Sequence, residues 1–278
     1  MSLAERIRET ALSPRERRVA DLILSDPSAV AFGTVASVAA ATGVGNSTVM
    51  RFSAAIGFVG FRDLQHAVRT ELGGRLRQAT HRVRQPQPGE PIERSLETEI
   101  ANISDTFARL DRAALSKATV RIAGCPRIGV IAGDTARGVA QDFATQLGMV
   151  RRDVEFVDTG SIAMTRSLTW FGRDDLLIAI DTARYEHAVT LACEHAAVRG
   201  VPLLAISDSH LSPIAAVAKW SFQILDQGAG PFDSFVGALA LTNLMVNLVT
   251  TELGRAAVRH IDRLDAEWDA AHVLRRED

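Results

Sequence analysis

The sequence predicts an all-α helix-turn-helix N-terminal domain followed by an α/β domain with a five-stranded parallel sheet flanked by helices. Three observations carry this prediction. Residues 34–64 have helical periodicity interrupted by a single turn glycine, Gly43. Residues 84–91, RQPQPGEP, form a Pro/Gly/Gln-rich break. From Arg127 onward, short apolar runs alternate with segments of helical period. The expected division is a helical domain over 1–83, a linker over 84–91 and an α/β domain over 92–278.

Composition narrows the functional class. A chain of 278 residues can build two cores, and 47% hydrophobic with 23% charged residues suits a globular protein. Two cysteines, Cys125 and Cys193, are too few for a disulfide framework and fit a reducing compartment. The start MSLAERIRET has no apolar signal core, and no uninterrupted apolar run reaches about 18 residues, so a cytoplasmic protein without a membrane partner is expected. Charge is unevenly spread. Residues 1–84 hold 12 Arg, no Lys and 7 Asp or Glu, a net +5, while the remainder carries −7. A basic head on an acidic body suits phosphate-backbone contact by the head alone.

The head reads as follows. Residues 3–11 make a short helix. Ser13-Pro14-Arg15-Glu16 opens another, with a Ser cap, Pro at the first position and acid in the first turn. Its core face is Val19, Ala20, Ile23 and Leu24, and Asp26-Pro27 ends it. Residues 29–32 form a short turn. Val35, Val38 and Ala39 then line one helix, Gly43 reverses the chain, and Val44, Val49, Phe52 and Ile56 line the next. Such a pair is helix-turn-helix geometry, whose second helix enters the major groove of double-stranded operator DNA. On that reading Asn46, Ser47, Thr48 and Arg51 face outward to contact bases, with Arg51 best suited to guanine. Phe58 and Phe61 cap the small core before a long helix over 62–82.

Beyond the linker, residues 92–118 read as one helix with Leu96, Ile100, Ile103, Phe107 and Leu110 on one face. Strands are expected at 128–132, 154–157, 175–180, 203–206 and 220–225, with helices between them. Residues 232–253 form an apolar helix, either core or a subunit interface, and 255–274 an amphipathic one bearing Val258, Ile261, Leu264 and Trp268. In open α/β sheets ligands bind beyond the carboxyl ends of the strands. The candidate lining is therefore Asp134, Thr135 and Arg137 in the first loop, Asp181, Thr182 and Arg184 in the second, and Ser207 and Ser209 in the third. No catalytic residue, cofactor or metal is expected. Glu186 and His187 sit where a solvated helix face is the simpler reading, and the adjacent positions Cys193-Glu194-His195 diverge in direction.

LSPRERRVADLIL, the run Thr48-x-x-Arg51-Phe52 and GFVGFRDL together resemble the N-terminal domain of the RpiR (MurR/RpiR) family of bacterial transcription regulators. Family members usually have Ser-Pro where this chain has Gly45-Asn46, and Asn46 is expected to cap the helix instead. The strand end Ile206-Ser207-Asp208-Ser209 and the helix start Ser212-Pro213 are similar to the sugar isomerase (SIS) domain that such regulators carry. The resemblance implies an effector-binding and oligomerising domain behind the head. One recognition helix reads too few base pairs alone, which points to a homodimer or homotetramer.

In SIS domains a Gly-x-Ser turn and a Ser-x-Ser-Gly-x-Thr turn hold a sugar phosphate. Here the matching serines are Ala136, Asp181 and Ala183, the glycine is Arg184 and the threonine is Glu186. A carboxylate ~5 Å from one phosphate charge, at an effective dielectric near 20, costs on the order of 3 kcal/mol. Arg137 and Arg184 would reverse that sign if turned inward. With them turned away, the expected effector is a carbohydrate-related metabolite that is unphosphorylated or cationic rather than an ordinary sugar phosphate, and a pocket that binds nothing is the alternative. The alternative class is a sugar-phosphate isomerase with an accessory helical domain, and the missing serines count against it.

Overall fold

The computed structural model describes residues 3–25, 27–73, 83, 89–182 and 185–273. The head consists of α1 (Leu3–Glu9), α2 (Pro14–Ser25), α3 (Pro27–Phe32), α4 (Val35–Thr42), α5 (Asn46–Ala55) and α6 (Phe61–Gly73). Caps set these boundaries. Ser13 N donates to Glu16 Oε2 at 2.9 Å and Glu16 N to Ser13 Oγ at 3.4 Å, a reciprocal box that starts α2. Hydrogen bonds from Ser13 hold the Glu16 carboxyl below its ordinary range. Thr34 and Ser37 repeat the device at α4. At its other end Gly43 takes φ 62°, which lets Val44 N reach Ala39 O at 3.0 Å. Val19, Ala20, Ile23, Val38, Val49 and Phe52 form the middle of the core. Residues 74–82 of the expected long helix lie outside the described residues.

The expected single helix over 92–118 is two, α7 (Pro91–Ala108) and α8 (Arg112–Gly124). The break comes at Asp111, whose Oδ1 accepts from Ala113 N at 2.8 Å and Ala114 N at 3.0 Å and so caps a new helix. Periodicity carries across such a break because the apolar spacing resumes nearly in phase. The five strands are β1 (Ile128–Ala132), β2 (Val154–Phe156), β3 (Leu176–Ile180), β4 (Leu203–Ser207) and β5 (Trp220–Gln223). All pair in parallel in the order β2-β1-β3-β4-β5. Between them run α9 (Arg137–Val150), α10 (Ser161–Leu168), α11 (His187–Val198) and α12 (Pro213–Val217); α13 (Val236–Leu253) and α14 (Arg255–Ala270) follow.

The period-two alternation of strands splits the core by sheet face. Ile128, Val130, Ile178, Leu204 and Phe222 meet α8, α9 and α13, while Ile131, Leu177, Ala179 and Ala205 meet α10, α11 and α12. The apolar helix α13 is core, with Ala238, Leu241, Met245 and Val249 buried. By length and composition alone it is also the one helix among the described residues apolar enough to cross a bilayer. Gly237 permits its close crossing with α7, since a Cβ there would lie 2.7 Å from Leu225 O and 2.8 Å from Thr106 Oγ1. The polar side of α7 faces inward. Asn102 Nδ2 donates to Gln227 O at 2.8 Å, and Leu225 N donates to Thr106 Oγ1 at 2.9 Å. Its apolar stripe is turned out, with Ile92 75%, Leu96 60% and Ile100 54% exposed.

Candidate DNA-binding edge and effector site

Helix α5 is gripped by α2, α4 and α6, so its buried face is wide. Val49, Phe52, Ser53 and Ile56 lie inside the head. Thr48 joins them at 3% exposed, which corrects its expected place among the base-reading residues. Thr48 stands four positions before the buried Phe52, one turn along the same face of α5. Asn46, Ser47 and Arg51 are exposed as expected. Met50, absent from the sequence-based set, shares their edge at 45% exposed. A second correction concerns the helix start. Gly45 is the N-cap, with no side-chain hydrogen bond, and Asn46 is the first helical residue. Gly45-Asn46 therefore stands position for position where Ser-Pro is usual, and the serine's capping bond is lost. Arg51 lies within electrostatic range of Glu16 on α2 and lowers its pKa.

At the body's other functional candidate, the strand order changes direction between β1 and β3. That is the topological switch point at which α/β sheets open a crevice. The first residues past these strands are Gly133 and Asp181, and Gly133 N donates to Ile180 O at 3.3 Å. Glycine leaves room for Asp181 here, since a Cβ on residue 133 would sit 2.5 Å from Asp181 Oδ1. Asp181 is only 2% exposed, and its carboxylate accepts from Thr182 N at 3.1 Å and Glu186 N at 2.8 Å. Burial pushes Asp181 up to about 7, more than the two N–H groups pull it down, with the charges of Glu186 and Asp208 adding to the rise. The Glu186 carboxylate accepts from Asp134 N at the start of the turn that leads into α9.

The third loop is tied into the same cluster. Ser207 Oγ donates to Asp181 O at 2.6 Å, Tyr185 OH donates to Asp208 Oδ1 at 2.8 Å, and Gln223 Nε2 donates to Asp208 O at 3.0 Å. Three backbone donors among the described residues, Asp134 N, Thr182 N and Glu186 N, are thus occupied by the chain's own carboxylates.

The structure gathers Asp134, Asp181, Thr182 and Ser207 at the strand ends. Thr135 is exposed beside them. Ser209 is buried, its Oγ accepting from Leu211 N at 2.9 Å. The Arg137 guanidinium lies 5.0 Å from the Phe156 ring and 3.5 Å from Asp158, at the end of β2. Arg184 is outside the described residues. Sequence reasoning named the loop that holds Asp208 but missed its partners Tyr185 and Gln223. The one signal for them was Tyr185, the sole tyrosine in the chain, placed in a strand-end loop.

Two apolar clefts lie away from the strand ends. One, of about 340 Å³, is lined by Met164, Leu168, Phe171 and Ala196. The other, of about 580 Å³, lies between Phe107, Leu115, Leu244 and Leu248. Among the described residues no three His, Cys, Asp or Glu side chains gather to hold a metal ion. Cys125 and Cys193 are buried, and burial raises both thiols away from reactivity.

Comparison with known proteins accounts for both halves. Residues 1–74 match the helix-turn-helix domain of the rpiR family, and residues 121–248 match the SIS domain. An uncharacterized HTH-type transcriptional regulator of Clostridium perfringens is 20% identical over 254 residues, 87% of this chain and 89% of the relative. The sugar isomerase domain of an RpiR transcription factor from Sphaerobacter thermophilus superposes with TM-score 0.60 at 25% identity, covering 63% of this chain and 98% of that one. The NanR protein of Vibrio vulnificus, complexed with ManNAc-6P, superposes with TM-score 0.58 at 23% identity over 97% of this chain and 99% of its own. With its helix-turn-helix head and SIS body in this order, the chain belongs to the RpiR family of HTH-type transcriptional regulators.

Proposed function

We propose that the chain is a cytoplasmic regulator that grips operator DNA through the exposed edge of α5 and answers to a carbohydrate-derived effector lacking a phosphate. Its working division is a DNA-binding domain over 1–83, a linker over 84–91 and an effector-binding body over 92–278. Asn46, Ser47 and Arg51 read bases, while other arginines of the head supply phosphate contacts. The protein works as a symmetric dimer or tetramer, which brings two heads to half-sites a whole number of turns apart. The outward apolar stripe of α7 supports this, since Ile92, Leu96, Ile100 and Phe107 are left uncovered in the single chain.

One observation carries the effector reading: Asp181 and Glu186 already accept from Thr182 N, Glu186 N and Asp134 N. A phosphate would have to displace these carboxylates and meet their charge. Asp181, with a pKa of about 7, is only about half ionised at neutral pH, so Glu186 and Asp208 carry much of that repulsion. A hydroxylated or amine-bearing ligand meets acceptors instead. Glu186 is also spent as a hydrogen-bond acceptor, which disfavours an isomerase base at this position.

Because NanR of Vibrio vulnificus is seen with ManNAc-6P, the direct test pairs that compound with unphosphorylated mannosamine in calorimetric titrations at pH 7.5. Mannosamine is expected to bind at least about tenfold more tightly. Tight binding of ManNAc-6P that is lost in Asp181→Lys would refute the reading.

A further inference from the structure

One residue of the effector-site loops is buried in the head. Leu211, in the connection from β4 to α12, is 1% exposed and belongs to the apolar cluster of the head, not to either cluster of the sheet. The helix that follows it, α12, packs on α2. In turn α2 packs on both α4 and α5, the two helices of the DNA-binding unit. A leucine in a surface connection, inserted into another domain's core, is a mechanical contact between the two.

The loop that presents Leu211 is short and hydrogen-bonded at Ser207, Asp208, Ser209 and Ser212. It begins at Ser207, whose Oγ donates to Asp181 O at 2.6 Å, and whose O accepts from Ile224 N at 2.9 Å. Asp208 is held by Tyr185 and by Gln223. Ser209 Oγ accepts from Leu211 N at 2.9 Å, and Ser209 O accepts from Ser212 N at 3.2 Å. Ser212 caps α12 through Ala215 N at 3.2 Å. Only four positions separate Ser207, at the carboxyl end of β4, from Leu211. A chain so short and so hydrogen-bonded passes on a displacement of its base rather than absorbing it.

We propose that Leu211 is a positioning residue that clamps the head to the effector site, so that the β4–α12 loop sets the orientation of the DNA-binding unit. The input at Asp181 and Ser207 rests on the proposed effector site, whereas the clamp itself does not. A ligand that moves Ser207 against Asp181 shifts Leu211, and through α2 shifts α5.

The test is a double-mutant cycle on the full chain, read by hydrogen exchange and needing neither DNA nor effector. Ser207→Ala removes the tie to the Asp181 carbonyl without touching the head. It is expected to raise exchange at residues 19–23 of α2 by roughly two- to tenfold, and to do so only where Leu211 is present. In a Leu211→Ala background the same change should leave those amides unmoved. Equal effects of Ser207→Ala in both backgrounds, or none in either, would overturn the clamp. If Leu211→Ala melts the head, Leu211→Met replaces it, with partial loss of coupling expected and full coupling counting against the proposal. Because the readout involves no ligand, a failed titration with mannosamine and a failed cycle are separate results.

Discussion

The two functional regions treat their polar side chains in opposite ways. On α5, Asn46, Ser47 and Arg51 stay in solvent, held out by a buried face of Val49, Phe52 and Ile56. At the strand ends, Asp181, Glu186, Ser207 and Ser209 fold back on the backbone and satisfy one another. A surface that must meet DNA keeps donors available to a partner, because phosphate and base edges supply the missing acceptors. At the strand ends the N–H groups of Thr182, Glu186 and Asp134 are already met by the chain's own carboxylates.

The largest expected effect lies in the support of the exposed edge. Phe52→Ala removes a side chain with no solvent exposure and is expected to cost about 3–5 kcal/mol of head stability, measured by urea denaturation, with DNA binding lost alongside.

Next comes the buried acid. Asp181 has a folded pKa of about 7 against 3.8 for the free side chain, so the fold binds its proton more tightly than the unfolded chain does. The stability this confers is present in full below about pH 4 and is lost as pH rises to 7. The loss is on the order of 2–4 kcal/mol. Asp181→Asn should flatten that slope and raise stability at pH 8, and urea midpoints at pH 5 and pH 8 would reveal it. An unchanged slope would mean that the carboxylate is not buried as described.

Arg51→Ala is expected to weaken operator binding by about 10–100-fold and to relax sequence preference at one base pair, read by competition binding against mutated sites. The smallest effect separates Thr48 from its neighbours. Thr48→Val should leave operator affinity within about twofold, since the side chain is buried and cannot reach a base. A drop comparable to that of Arg51→Ala would put Thr48 back among the DNA contacts.

Much of this was legible in the sequence. The head follows from local signals, Ser13-Pro14 with Glu16, Gly43 at a left-handed turn and apolar spacing of three and four, and local signals are what a sequence displays. The strands of the body show as apolar runs because both sheet faces are covered. What escaped depends on contacts between distant segments. Asp111 was read as one polar residue in a helix rather than the cap of a new one. Thr48 looked polar and therefore exposed, yet it is buried on the face of α5 that also carries Phe52. The bond from Asp134 N to Glu186 joins residues 52 positions apart, and no periodicity announces it. Exposure of the α7 stripe was equally hidden, since an apolar face reads the same whether its own domain or a second copy covers it.

At the switch point the chain's own acids take the N–H groups of Thr182, Asp134 and Glu186. Replacing those acids with hydroxyl residues, as Asp181→Ser with Glu186→Thr, should free the N–H groups of Thr182 and Asp134 and of residue 186. Calorimetric titration of this double variant with ManNAc-6P measures the consequence directly. The prediction is a gain of at least about tenfold in affinity over the unaltered chain. Unchanged or weaker binding by the double variant, with tight binding by the unaltered chain, would contradict it.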